Sequence, residues 1–96
     1  MLHLIFTSPL DTAILDRMAQ GDAAVFMESA VLAVLKNGQC ADTLIKQQEQ
    51  SRFYVLSEDM DVRGIQKDEI IPGLEVINHS GLVQLTVEHS PIQSWC

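Results

Sequence analysis

Leu2 to Phe6 is a nearly continuous apolar run broken only by His3. A run without polar alternation is the pattern of a strand covered on both faces, so a parallel central strand is expected here. Ser8-Pro9-Leu10-Asp11 has the form of a helix start: Ser8 as N-cap, Pro9 at the first helical position where its missing N–H costs nothing, and Asp11 near the positive end of the dipole. Leu10, Ala13, Ile14 and Met18 then recur at helical spacing, Asp16 and Arg17 fall off that stripe, and Gln20-Gly21 supplies the stop. A second apolar run, Ala23 to Met27, fits a strand introduced by Asp22, and Glu28-Ser29 can open a helix through Leu35. Periodicity does not fix that boundary, because the whole stretch is apolar. Asn37-Gly38 closes it, both residues tolerating the left-handed conformation that ends helices.

Asp42 to Gln50 is polar apart from Leu44 and Ile45, which predicts an exposed helix with a narrow buried edge. Phe53-Tyr54-Val55-Leu56, aromatic and β-branched, is the clearest strand in the chain. Ser57 is expected to cap a short helix with Glu58 and Asp59 in its first turn and Arg63-Gly64 at its end, Asp59 pairing with Arg63 at i, i+4. A polar bend at Gln66 to Glu69 and the turn Pro72-Gly73 lead to a fourth strand, Leu74 to Ile77. The stretch Leu82 to Val87 is ambiguous, since Val83, Leu85 and Val87 also alternate as a strand would. A capping Ser80 and the preceding strand-then-helix order favour helix, ended by Pro91 with Ile92 to Cys96 as a tail.

The order of elements is the grammar of one small α/β domain spanning residues 1–96: three layers, with a mainly parallel sheet of about four to five strands flanked by helices. In such sheets the polar residues just past the strand ends share one edge, where ligands or partners sit. Here they are Ser8, Glu28, Ser29, Ser57, Glu58, Asn78 and His79.

Charge narrows the function classes. Thirteen acidic against six basic residues give a net charge of −7. With so few cations, and none of them in a run, no direct grip on nucleic acid is expected, although a partner subunit could hold an RNA. The apolar stretch Ala23 to Leu35 is interrupted by Glu28-Ser29 and falls short of the roughly 20 residues that span a bilayer, so no membrane association is expected. The opening residues lack a basic leader, and the two cysteines, Cys40 and Cys96, are too few for a disulfide framework. A cytoplasmic setting is expected.

Little independent chemistry is visible. The scattered glycines make no phosphate fingerprint, so no nucleotide cofactor is expected. The acid pairs Glu58-Asp59 and Asp68-Glu69 point in different directions on a helix and serve capping and solvation before catalysis. His79, at the predicted edge, is a candidate proton shuttle or ligand set against the plain reading of a solvated loop histidine. His3 is expected half-buried and donating to backbone, and His89 to favour a helix C-terminus. None has a metal-type neighbour, so no metal is expected. Cys40 is a weak persulfide candidate: it lies in a connection, but Asp42 opposes its thiolate and no cation adjoins it. Trp95, the sole tryptophan, stands on the predicted tail and is a candidate anchor for a neighbouring subunit, with His79 a second interface candidate.

Certain motifs carry a resemblance across the whole chain. The opening Met1-Leu2-His3 with Ser8-Pro9, the middle Tyr54-x-Leu56-x-Glu58-Asp59 followed by Arg63-Gly64, and the closing Val83-x-Leu85-Thr86-Val87-x-His89 with Trp95 together resemble the TusB/DsrH family of the DsrE/DsrF/DsrH-like superfamily, nearer its TusB branch. The resemblance implies a DsrE-like fold and a heterohexamer, a dimer of trimers, with TusC-like and TusD-like subunits. It implies a sulfur relay that takes persulfide sulfur from a TusA-like carrier and passes it to a TusE-like one, toward 2-thiolation of the tRNA wobble uridine. In the family the essential cysteine belongs to the TusD-like subunit, and the TusB-type subunit is regarded as non-catalytic. Where DsrH members can carry a cysteine after the first helix, this chain has Gln20-Gly21-Asp22, so no persulfide role transfers. By itself the chain is expected to have no enzymatic activity. Self-association when isolated, a stand-alone persulfide carrier using Cys40, and a small-molecule module around Ser8, Ser57 and His79 remain the alternatives.

Overall fold

Five short strands pair in parallel in the computed structural model, which describes residues 2–6, 18, 21–36, 41–89 and 92–95. They are β1 (Leu2–Ile5), β2 (Ala23–Phe26), β3 (Arg52–Leu56), β4 (Glu75–Ile77) and β5 (Ile92–Trp95), in the spatial order β4-β3-β2-β1-β5. Leu2 registers with Ala23 and Leu4 with Val25, while Ala24 registers with Phe53 and Val25 with Tyr54. The expected first helix lies outside the described residues, as do Ser8-Pro9, Asn37-Gly38, Cys40 and Cys96.

Alternation along the strands separates two cores, which is why the strands read as continuous apolar runs. One face carries Ile5, Ala24, Phe26, Phe53 and Val55. Over it pack Ala30, Val31 and Val34 of a 3-10 helix (Glu28–Val34), Leu44 of helix α1 (Ala41–Gln47), Met60 of helix α2 (Ser57–Val62) and the loop residues Ile65, Ile70, Ile71 and Leu74. The Phe26 and Phe53 rings meet edge to face, centroids 5.8 Å apart. The opposite face carries Leu2, Ala23, Val25, Tyr54 and Leu56 and is covered among the described residues by Leu82 and Leu85 of helix α3 (His79–Glu88). Burying each such Leu, Val or Phe side chain contributes about 1.5–3 kcal/mol.

Several expectations are corrected. The segment after β2 is a 3-10 helix ending at Val34, because Leu35 bridges Ile70 and the Val34 carbonyl accepts from the Ile71 N–H at 2.8 Å. Of the expected buried edge of α1, Leu44 is buried but Ile45 is exposed, and the helix ends at Gln47 as the chain turns so that the Arg52 N–H can reach the Asp22 carbonyl. Gln66 to Glu69 is not a plain bend: Lys67–Glu69 forms a 3-10 turn closed by a capping box between Gln66 and Glu69. α3 is capped by Asn78, whose Oδ1 accepts from the Gly81 N–H at 2.9 Å, and not by Ser80. Helix is nevertheless right for Leu82 to Val87. A strand would bury Val83, Leu85 and Val87 together, whereas Leu85 is buried while Val83 and Val87 are 50% and 80% exposed. The supposed tail is β5: α3 crosses the sheet and delivers Ile92–Trp95 to the free edge of β1, Ile92 beside Leu2 and Trp95 beside Ile5. No helix among the described residues is long and apolar enough to cross a membrane.

Candidate functional site

The C-terminal ends of β2, β3 and β4 bring together most of the edge residues expected from the sequence, and there the carboxylates are bonded to backbone. Glu28 follows β2 with a φ of +51°, a left-handed conformation unfavourable for a residue with a Cβ. Its N–H donates to Asp59 Oδ2 at 2.6 Å. The expected Asp59–Arg63 ion pair is not formed among the described residues; Asp59 serves the Glu28 N–H, and the Arg63 N–H closes α2 on the Met60 carbonyl. Ser29 Oγ donates to the Phe6 carbonyl at 3.1 Å, tying the β2 exit to the β1 exit.

Glu58 performs the matching task on the other side. Its Oε2 accepts the His79 N–H at 3.0 Å, and its Oε1 accepts from Ser57 Oγ at 2.9 Å. Ser57 is therefore not the N-cap of α2; Leu56 holds that position. The Glu58 carboxyl is held below the ordinary glutamate range, first by its own backbone N–H, then by the Ser57 hydroxyl and the His79 N–H. Adjacent acids at the start of one helix thus reach in opposite directions, Asp59 to the β2 exit and Glu58 to the start of α3. The cluster can bind and position: Glu58 links the Ser57 hydroxyl to the His79 N–H, and Asp59 holds the Glu28 N–H.

His79 is exposed at the first position of α3, where the fold engages its backbone through Glu58. His89 is half-buried and closes the same helix, its N–H on the Leu85 carbonyl. Trp95 lies within β5 by its backbone; its side chain and Cys40 and Cys96 fall outside the described residues. Among the described residues no three His, Cys, Asp or Glu gather as a metal ion would require.

His3 is more deeply buried than expected: it is 1% exposed, and its Nε2 lies 3.1 Å from Asp22 Oδ2. The parallel register explains it: His3 faces Ala24, and Asp22, two residues before Ala24, shares that face. This pairing is legible only once β1 and β2 are known to be neighbours.

Similarity to known proteins follows this architecture. The family described as "DsrH like protein" matches residues 7–92. A protein named TusB from Erwinia tasmaniensis is 32% identical over 98 residues, covering 99% of this chain and 100% of the relative. A TusB protein from Pectobacterium parmentieri is 34% identical over 99 residues, with the same coverage. Among solved structures, a protein of unknown function from Methanobacterium thermoautotrophicum superposes with a TM-score of 0.76 over 98% of this chain and 96% of its own, at 13% identity, a likeness of fold.

Proposed function

The chain belongs to the DsrH-like family, and from that premise we propose that it is a non-catalytic subunit of a sulfur-relay complex that passes persulfide sulfur toward 2-thiolation of the tRNA wobble uridine. Its partners in this reading are TusC-like and TusD-like subunits, with TusA-like and TusE-like carriers visiting the assembly in the cytoplasm. The observation that carries the reading is end-to-end similarity to relatives named TusB.

The edge geometry supports a structural role. Glu58 and Asp59, the acids best placed for chemistry at the strand ends, are hydrogen-bonded to the backbone of His79 and Glu28. Groups so engaged hold connections in place, and the arrangement suits a subunit that shapes a neighbour's site. The net charge of −7 favours encounter with basic carriers, an on-rate effect weakened by salt.

The test is to co-express the chain with its genomic neighbours, weigh the assembly, and measure tRNA 2-thiouridine after deletion of the gene. Copurification of two partners and loss of 2-thiouridine are expected. Unchanged thiolation with no partner would defeat the proposal. So would a gain of about 32 Da (one sulfur atom) on Cys40 of the isolated chain after exposure to a persulfide donor, coupled to onward transfer, because the chain would then be a carrier in its own right.

A further inference from the structure

A trough runs along the β3–β4 side of the sheet, at the opposite flank of the molecule from β5. It consists of two adjoining hollows of about 280 and 250 Å³ that share Tyr54 and Glu75. One lies between β4 and α3, with Leu85, Gln84 and Glu88 on its helix side; the other continues past Tyr54 to Arg52. Tyr54 is only 7% exposed, yet among the described residues its hydroxyl has no hydrogen-bond partner. A buried phenol normally finds one. Among the described residues no fully buried side-chain polar atom lacks a partner, so this oxygen reaches solvent, and Tyr54 lines both hollows.

The charges around it are arranged by sign. Both charged residues lining the α3–β4 hollow, Glu75 and Glu88, are acidic and exposed. Gln84 Nε2 donates to Glu88 Oε1 at 3.1 Å, which steadies that carboxylate. Carboxylates beside an aromatic ring with an open hydroxyl acceptor are what a guanidinium or ammonium group requires. At the other hollow Arg52 offers donors for a carbonyl oxygen. A long cation with peptide carbonyls beside it is a basic residue within an extended polypeptide.

We propose that the trough between α3 and β4 is a docking site for a basic side chain on an extended segment of a protein partner, floored by Tyr54 and walled by Glu75 and Glu88. The inference stands apart from the sulfur-relay reading, because it uses only the shape and charge of this surface.

The experiment is a titration of the full chain, labelled with nitrogen-15, by the peptide acetyl-Ala-Arg-Ala-amide, with acetyl-Ala-Glu-Ala-amide as control. Saturable amide shifts centred on Tyr54, Glu75 and Gln84 are expected with the arginine peptide alone. Replacing both walls, Glu75→Gln with Glu88→Gln, should raise Kd about tenfold by removing charge-assisted bonds. Tyr54→Phe should raise it about threefold. A control pair on α1, Asp42→Asn with Lys46→Gln, should leave it within about twofold, an exposed pair contributing little. Equal binding of the glutamate peptide, shifts scattered over the surface, no saturable binding, or insensitivity to the wall substitutions would each overturn the proposal. The wall residues are exposed, so their substitution tests the site even where Tyr54→Phe perturbs the fold.

Discussion

Asp59 Oδ2 accepts the N–H of Glu28 at 2.6 Å, and through that bond the start of α2 holds the exit of β2 in a left-handed turn. A residue with a Cβ at a φ of +51° costs about 1–2 kcal/mol relative to glycine, offset by the fit of the turn. Glu28→Gly is therefore expected to raise stability by about 1 kcal/mol, because Glu28 is exposed and loses little packing. Asp59→Ala should lower it by about 1 kcal/mol. Urea unfolding of the two variants checks both signs.

The buried pair His3–Asp22 makes a second prediction. Asp22→Leu leaves an imidazole that is 1% exposed without its carboxylate and should cost about 2–4 kcal/mol. Adding His3→Leu should recover part of that loss, since the buried imidazole is then removed together with the carboxylate that faced it. A double-mutant cycle in denaturant measures the coupling, and additive losses would count against the pairing.

Acid should weaken the Glu58 link. A carboxyl whose folded pKa lies below its unfolded value contributes stability that is complete above the unfolded value and is lost as pH falls through the folded one. Glu58 has this depression, from its own N–H, the Ser57 hydroxyl and the His79 N–H. Glu58→Gln should thus be less stable than the parent at neutral pH, and the gap should close as pH drops below the ordinary carboxylate range. A gap independent of pH would show that charge plays no part.

Gly73 occupies a φ of +94° in the turn before β4, and a Cβ there would collide with the Gln48 amide. Gln48 Nε2 itself donates to the Pro72 carbonyl, so this side chain is not free to move aside without loss. Gly73→Ala should lower stability by about 1–3 kcal/mol, read from the thermal midpoint.

Trp95→Ala bears on assembly. With β5 at the edge of the sheet, the substitution should reduce copurification with TusC-like and TusD-like subunits more than it lowers the melting temperature of the isolated chain. The reverse ranking would place the indole inside the protomer.

The short apolar runs Leu2 to Phe6, Ala23 to Met27 and Phe53 to Leu56, each followed by polar residues, determined the class of fold, because strands covered on both faces read this way. Strand-end polar residues likewise announced the edge where Glu58 meets His79 and where Glu28 is held by Asp59. What the linear pattern left undecided depended on neighbours. Ile92 to Trp95 has no strand signature of its own and becomes β5 only because β1 offers an unpaired row of backbone groups at the end of the α3 crossover. Asp59 had Arg63 within reach along its helix, yet it binds the Glu28 N–H, 31 positions away in sequence. Local spacing fixes which groups lie side by side on one element. Register and crossover geometry fix which groups meet across elements, and a hydrogen bond forms with the donor that the assembled sheet brings within about 3 Å.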